Sequence, residues 1–247
     1  MKRPFATAYT YAEFLTFAVL FVPVMAAARL GSRGDPSFRV AGRWLRRFGK
    51  LTSRLTPLWH FSIEGEAPSD ISSRAYVVVC NHESNADPFL LSWLPWDMRW
   101  ISKAELFKLP LVGTLLRLGG DIALRRGDGD SVQHMMAECQ KTLACGLSVM
   151  IFPEGTRSPD GSLGAFKDGA FRLAIEAQVP VLPLALAGTR DCLPKQGSLH
   201  EARAMARVLC PIETRNLTLA DLATLRERVR DQIAEARREL DAALAPK

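Results

Sequence analysis

Ala75-Tyr76-Val77-Val78-Val79-Cys80-Asn81-His82-Glu83-Ser84-Asn85-Ala86-Asp87-Pro88-Phe89 is a β-branched run that gives way to polar residues and then to a proline. Residues 75–80 cannot face water on both sides, so they read as a strand within a sheet. His82 and Asp87 follow where the chain leaves that sheet, and open α/β sheets form their ligand crevices there. Five residues of α-helix turn through about 500°, so the two side chains share no helical face and meet only if the loop folds back. Pro88 suits the first position of a helix, which makes Asp87 its N-cap and carries the helix through Leu94. A histidine with an orienting carboxylate is a general base. Taken alone, a capping Asp87 beside a surface His82 is the stronger reading.

Outward from this stretch, strands and helices alternate. Further strands are expected at Met98–Ile101, Asp121–Leu124, Leu147–Phe152 and Val181–Leu186, with a loop over Lys103–Leu109. Helices are expected at Leu111–Leu118, Asp130–Thr142 (capped by Asp130 or Ser131) and Asp168–Gln178. A last helix is expected at Leu219–Leu244, opened by the capping-box pair Thr218 and Asp221. This alternation is the signature of an α/β fold with a mostly parallel central sheet flanked by helices. The globular part begins near Phe61, which gives N-terminal helices over 1–59 and an α/β domain over 60–247.

The first sixty residues carry ten Lys/Arg against only Glu13 and Asp35, although the whole chain of 247 residues is only +6. Phe14–Ala28 is an uncharged apolar run, shorter than the ~20 residues of a spanning helix and interrupted by Pro23. It fits a marginal span, a re-entrant segment or a helix lying in one leaflet. Pro36–Thr56 reads as an amphipathic helix, with Phe38, Ala41, Leu45, Phe48 and Leu55 at helical steps. Arg39, Arg43, Arg46, Arg47, Lys50 and Arg54 cover much of the rest. Beside an apolar run, that basic face points to an anionic membrane surface rather than to nucleic acid. The five cysteines are odd in number and show no metal-binding spacing. They are expected to be reduced and structurally buried, which suits a reducing compartment and argues against a cleaved export signal.

Three later clusters carry chemistry. Phe152-Pro153-Glu154-Gly155-Thr156-Arg157-Ser158 ends another apolar strand. Gly155 permits a tight turn, Thr156 and Ser158 offer hydroxyls, Arg157 offers a fork suited to phosphate, and Glu154 can accept from a substrate hydroxyl. Lys103 opens a second cluster that closes at Arg125 and Arg126, placing positive charge at the same sheet edge if the strands are parallel. Val179-Pro180-Val181-Leu182-Pro183-Leu184 is apolar and reads as wall or core. Each cluster alone is also explained as a polar turn, a solvated strand end or packing.

Their order and spacing together resemble the four sequence blocks of the glycerolipid acyltransferase family, typified by the bacterial 1-acyl-sn-glycerol-3-phosphate acyltransferases. The similarity covers roughly residues 60–190, with Phe166-Lys167-Asp168-Gly169-Ala170 resembling the segment that follows the third block. The resemblance implies a membrane-associated transfer of a fatty acyl group from acyl-coenzyme A or acyl carrier protein to a lysophospholipid hydroxyl. It implies no cofactor, no metal and no acyl-enzyme. His82 would be the general base and Asp87 its orienting partner. Arg126, Arg157 and Lys103 would hold the acceptor phosphate, with Glu154, Gly155 and Thr156 beside the glycerol. The implied partners are the two lipid substrates, an anionic membrane surface and, for one donor type, acyl carrier protein; the implied location is the cytoplasmic face of a membrane. Arg125 stands where the family often has an acid, and Asp168 where it often has a base, so the acceptor stays open. Another lyso-lipid acceptor and a non-catalytic anionic-lipid binder are the alternatives. A serine hydrolase is disfavoured because no G-x-S-x-G elbow is present.

Overall fold

The computed structural model describes residues 3–157, 162–194 and 199–245. Seven strands form the sheet: β1 (Trp59–Glu64), β2 (Val77–Cys80), β3 (Met98–Lys103), β4 (Ile122–Leu124), β5 (Ser148–Ile151), β6 (Val181–Ala187) and β7 (Ala202–Val208). They lie in the order β1-β7-β6-β2-β5-β3-β4, and every neighbouring pair is parallel except β6 with β7. The helices are α1 (Arg3–Gly31), α2 (Arg39–Leu55), α3 (Asp87–Leu91), α4 (Val112–Gly119), α5 (Gly129–Ala144), α6 (Gly169–Ala177), α7 (Thr189–Cys192) and α8 (Leu222–Leu244).

Alternation along β2 shows how the sheet is covered. Val77 and Val79 join a core with α5, α6 and α8, while Tyr76, Val78 and Cys80 join a second core with α3 on the opposite face. All four residues of β2 are buried, as a central strand between two helical layers requires. Because β2, β3, β4, β5 and β6 are parallel, the residues that follow each of them emerge at one edge of the sheet.

Several expectations are corrected. β1 and β7 are full strands that pair in parallel register from Trp59↔Ala202 to Glu64↔Arg207. Residues 104–108 form a 3₁₀ turn rather than an open loop. Helix α5 is capped by Asp128, whose side chain accepts from Ser131 N, not by Asp130 or Ser131. Cys80, Cys139 and Cys192 are buried, but Cys145 and Cys210 are exposed, and all five are free thiols.

The largest correction concerns the N-terminus. Helix α1 runs unbroken through Pro23 for 29 residues. Its Ala18 and Met25 share a core with Leu45 and Phe48 of α2 and Leu115 of α4. Phe5, Tyr9, Leu15, Val19, Leu20, Val24 and Leu30 remain exposed on α1. The basic residues of α2, expected to meet lipid, divide into three that the protein engages and three that it does not. Arg39 donates to the Gly146 carbonyl (2.9 Å), Arg43 holds Asp97 through two contacts, and Arg46 pairs with buried Asp121. Arg47, Lys50 and Arg54 stay exposed and pair with no carboxylate among the described residues.

Candidate active site

The site is built from the turn that leaves β2. Asn81 is buried, and its amide extends the ladder beyond the strand: Nδ2 donates to the Leu186 carbonyl (2.9 Å) and Oδ1 accepts from Leu186 N (2.8 Å). This bond to β6 fixes where His82 begins. The His82 backbone N–H donates to Glu154 Oε1 at 2.7 Å, and its ring stacks on Phe152 with centroids 4.3 Å apart.

His82 Nδ1 lies 2.7 Å from Asp87 Oδ2. An ionised carboxylate only accepts, so Nδ1 carries the proton and Nε2 keeps its lone pair. Nε2 has no hydrogen-bond partner among the described residues. The Asp87 side chain is wholly buried, while His82 keeps 14% of its side-chain surface exposed. A base with one protected and one reachable nitrogen is the arrangement that proton abstraction needs.

Asp87 is not the helix cap that Pro88 suggested. It is the first residue of α3, and Ala86 occupies the cap position without a side-chain bond. The carboxylate reaches backwards instead, accepting from Glu83 N (2.8 Å), Ser84 N (3.1 Å to each oxygen) and the Thr189 hydroxyl. Ser84 is itself buried, and its hydroxyl donates to the Leu193 carbonyl at 2.7 Å, away from a nucleophile's role. Glu83 lies against Arg237 of α8 (2.9 Å), and burial pushes its carboxyl up to about 7 against the pull of that arginine.

The third cluster reaches the site by a different route from the one expected. Glu154 is buried, and its two oxygens are held by backbone N–H groups, Oε1 by His82 and Oε2 by Gly164 (2.9 Å). It braces the histidine rather than facing outward as a glycerol acceptor. Gly155 has φ +68, a left-handed conformation that favours glycine, while the nearest atoms to an added Cβ belong to the flexible end of Lys167. Thr156 is exposed; Arg157 is half-buried, with no hydrogen bond or ion pair among the described residues. Ser158 lies outside the described residues.

Lys103 ends β3 in register with Leu124 of β4, so Lys103 and Arg126 leave the sheet at the same edge. Both are exposed, and Lys103 lies 3.7 Å from Glu105. The Glu105 carboxyl is held below its usual range first by its own backbone N–H, with Lys103, Lys108 and Arg126 adding to the effect. Arg125 is committed to Asp128 (2.9 Å), whereas Arg126 acts on Glu105 at longer range and forms no hydrogen bond or salt bridge among the described residues. Strands sit about 4.8 Å apart, so β5 is one spacing from β2, β3 two and β4 three. Asp168, the other departure from the family pattern, pairs with Arg226 of α8. Roles for Asn81, Thr189 and Arg237 were not read from the sequence. A Gly-Thr pair after the buried strand β6 is the signal that the sequence offers for Thr189.

The chain is similar to known proteins in both sequence and fold. Residues 62–187 match the family model described as Acyltransferase. A chloroplastic 1-acyl-sn-glycerol-3-phosphate acyltransferase of Brassica napus is 33% identical over 211 residues, covering 82% of this chain and 60% of that protein. A chloroplastic enzyme of the same name from Arabidopsis thaliana is 35% identical over 72% of this chain and 52% of its own length. The human 1-acyl-sn-glycerol-3-phosphate acyltransferase alpha is 36% identical over 68% of this chain and 60% of its own length. The chain thus spans between about half and three fifths of these relatives. The crystal structure of a 1-acyl-sn-glycerophosphate acyltransferase from Thermotoga maritima shares the fold, with a TM-score of 0.78 over 99% of this chain and all of that one at 24% identity. With a matching family model across half its length and relatives more than 30% identical over most of it, the chain belongs to the Acyltransferase family.

Proposed function

We propose that this chain is a membrane-associated O-acyltransferase that moves a fatty acyl group from a thioester to the sn-2 hydroxyl of lysophosphatidic acid, giving phosphatidic acid. The observation that carries the reading is the His82–Asp87 pair, a reachable imidazole backed by a buried carboxylate at the edge where five parallel strands end. The printed names of the relatives, 1-acyl-sn-glycerol-3-phosphate acyltransferases, support the choice of acceptor.

His82 Nε2 takes the hydroxyl proton as the oxygen attacks the thioester carbonyl. A C–O bond forms, the tetrahedral intermediate collapses, and the C–S bond breaks. The imidazolium, held by Asp87, returns its proton to the departing thiolate. Arg157, in the turn that follows β5, and Lys103, at the end of β3, bind the acceptor phosphate together with Arg126. Among the described residues Arg157 and Arg126 form no hydrogen bond or salt bridge, which supports this use of them.

Helix α1 is long and apolar enough to cross a membrane by length and composition, yet only 11% of its most apolar window is buried in the protein. Ala18 and Met25 pack on α2 and α4, while Phe5, Tyr9, Leu15, Leu20 and Leu30 stay exposed and free for lipid. That partial packing favours a helix lying in a single leaflet. Five free thiols fit the cytoplasmic face.

The test offers purified full-length protein labelled acyl-coenzyme A and acyl carrier protein thioesters with a panel of lyso-lipids, and identifies products by mass spectrometry. Phosphatidic acid formed by the wild type and abolished in His82→Ala is expected. Turnover unchanged in His82→Ala sinks the mechanism. No turnover with any thioester, with lipid binding intact, favours a lipid-binding protein.

A further inference from the structure

We infer that Thr189 is a positioning residue of the catalytic pair, a third member that sets the plane of the Asp87 carboxylate. This rests on the proposed role of His82 as base. The last torsion of an aspartate is broad and roughly two-fold, so the carboxylate plane is fixed by its hydrogen bonds rather than by its own rotamer. Asp87 is fully buried, and its hydrogen bonds come from His82, Glu83, Ser84 and Thr189.

The donors divide unequally. Oδ2 receives His82 Nδ1 (2.7 Å), Glu83 N (2.8 Å) and a share of Ser84 N (3.1 Å). Oδ1 receives only the other share of Ser84 N (3.1 Å) and the Thr189 hydroxyl (2.5 Å) among the described residues. Thr189 is therefore the one full donor to Oδ1, and the one that arrives from outside the His82–Asp87 loop. Without it, a buried charged oxygen shares a single N–H, and the carboxylate is free to rotate away from the imidazole.

Thr189 is well suited to hold one direction. It is fully buried, and its β-branched side chain has a stiff first torsion. Gly188 before it has φ +86, and a Cβ there would lie 2.3 Å from the Arg203 carbonyl, so the backbone entering Thr189 is pinned between β6 and β7. The Thr189 hydroxyl also lies 3.5 Å from Glu83 Oε2. Arg237 Nε holds the other oxygen of Glu83 at 2.9 Å, so the shorter contact to Asp87 receives the threonine proton.

The experiment compares Thr189→Val and Thr189→Ser in the full-length protein in lipid nanodiscs. Thr189→Val keeps the volume and removes the hydroxyl; Thr189→Ser keeps the hydroxyl. The expected result is a fall in kcat of about 10- to 100-fold for the valine variant, as for other outer groups that orient a histidine. KM for both substrates stays within about twofold, and serine rescues kcat. A readout independent of turnover is the low-field proton resonance of His82 Nδ1–H, which broadens or disappears in Thr189→Val and persists in Thr189→Ser. If circular dichroism shows the valine variant unfolded, Thr189→Cys replaces it with the same readings. Wild-type kcat in the valine variant, or a serine variant as impaired as the valine one, overturns the inference. An inactive wild type with the resonance still dependent on Thr189 would sink the acyltransferase reading and leave the positioning role standing.

Discussion

Asp87 Oδ2 lies 2.7 Å from His82 Nδ1, with the carboxylate wholly buried and the imidazole still reachable. The proton the histidine must accept therefore goes to Nε2, and the charge that appears is met from behind by a group with no other exit. His82→Ala is expected to lower kcat by about 10³-fold, within the range of general-base catalysis. Asp87→Asn is expected to fall to a similar level, because an amide can present N–H to Nδ1 and reverse the tautomer. The double variant is expected to be no worse than the poorer single one, since the pair acts as a unit. Steady-state rates on lysophosphatidic acid decide it; additive losses would mean that the two residues work separately.

Glu154 links the His82 backbone to Gly164 through its two oxygens. Glu154→Gln leaves one acceptor oxygen and turns an NH₂ toward a backbone donor, a loss of about 1–3 kcal/mol for the unsatisfied group. A lower Tm and a reduced kcat with unchanged KM for the acceptor are expected if Glu154 holds the histidine. A raised KM with an unchanged Tm would instead return it to glycerol binding.

Sequence distance separates what could be read from what could not. Val77-Val78-Val79 and the His82–Asp87 pair are local signals, and a buried strand with a polar exit survives folding almost as written. β7 is Ala202-Arg203-Ala204-Met205-Ala206-Arg207-Val208, small residues and arginines with little strand preference, and only its neighbours β1 and β6 make it a strand. Helical periodicity shows that one face of α2 is basic, but not that Asp97 and Asp121, 54 and 75 residues away, pair with Arg43 and Arg46. Asp87 illustrates the same limit at close range. Pro88 correctly marks the start of a helix, yet the carboxylate is claimed by donors from the preceding loop and from a residue 102 positions on.

Arg46 and Asp121 form a buried pair whose side chains are 13% and 2% exposed. Arg46 also covers the Trp100 ring at 4.3 Å, and Trp100 meets Phe152, the ring beneath His82. Arg46→Leu strands a buried carboxylate, and removing one partner of such a pair typically costs about 3–5 kcal/mol. Chemical denaturation is expected to show that loss, with much of it recovered in Arg46→Leu/Asp121→Asn. Equal stability of the single and double variants would show that the pair does not dock α2.

Arg47, Lys50 and Arg54 are the basic residues of α2 left for a bilayer. Changing all three to Gln is expected to weaken binding to anionic vesicles by about 1 kcal/mol per residue, most strongly at low salt. Flotation with and without anionic lipid measures this. An unchanged distribution would assign membrane attachment to the apolar side of α1 alone.

Glu83 gives the fold a pH dependence of definite sign. Burial raises its carboxyl to about 7 from an ordinary 4.5, Arg237 opposes this, and Asp87 and Asp241 reinforce it. The 2.9 Å contact to Arg237 keeps the ionised form competitive near neutrality. A carboxyl with a raised folded pKa binds more protons folded than unfolded, so its contribution to stability is greatest below about 4.5 and declines as pH rises toward about 7. One group supplies a slope of at most about 1.4 kcal/mol per pH unit. Glu83→Gln keeps an oxygen for Arg237 and removes the titration, so the decline between about pH 5 and about pH 7 should flatten in the variant. Urea midpoints of both proteins across that range test it: parallel curves would place the titration elsewhere, whereas a flat variant curve ties the stability of the dyad loop to its contact with α8.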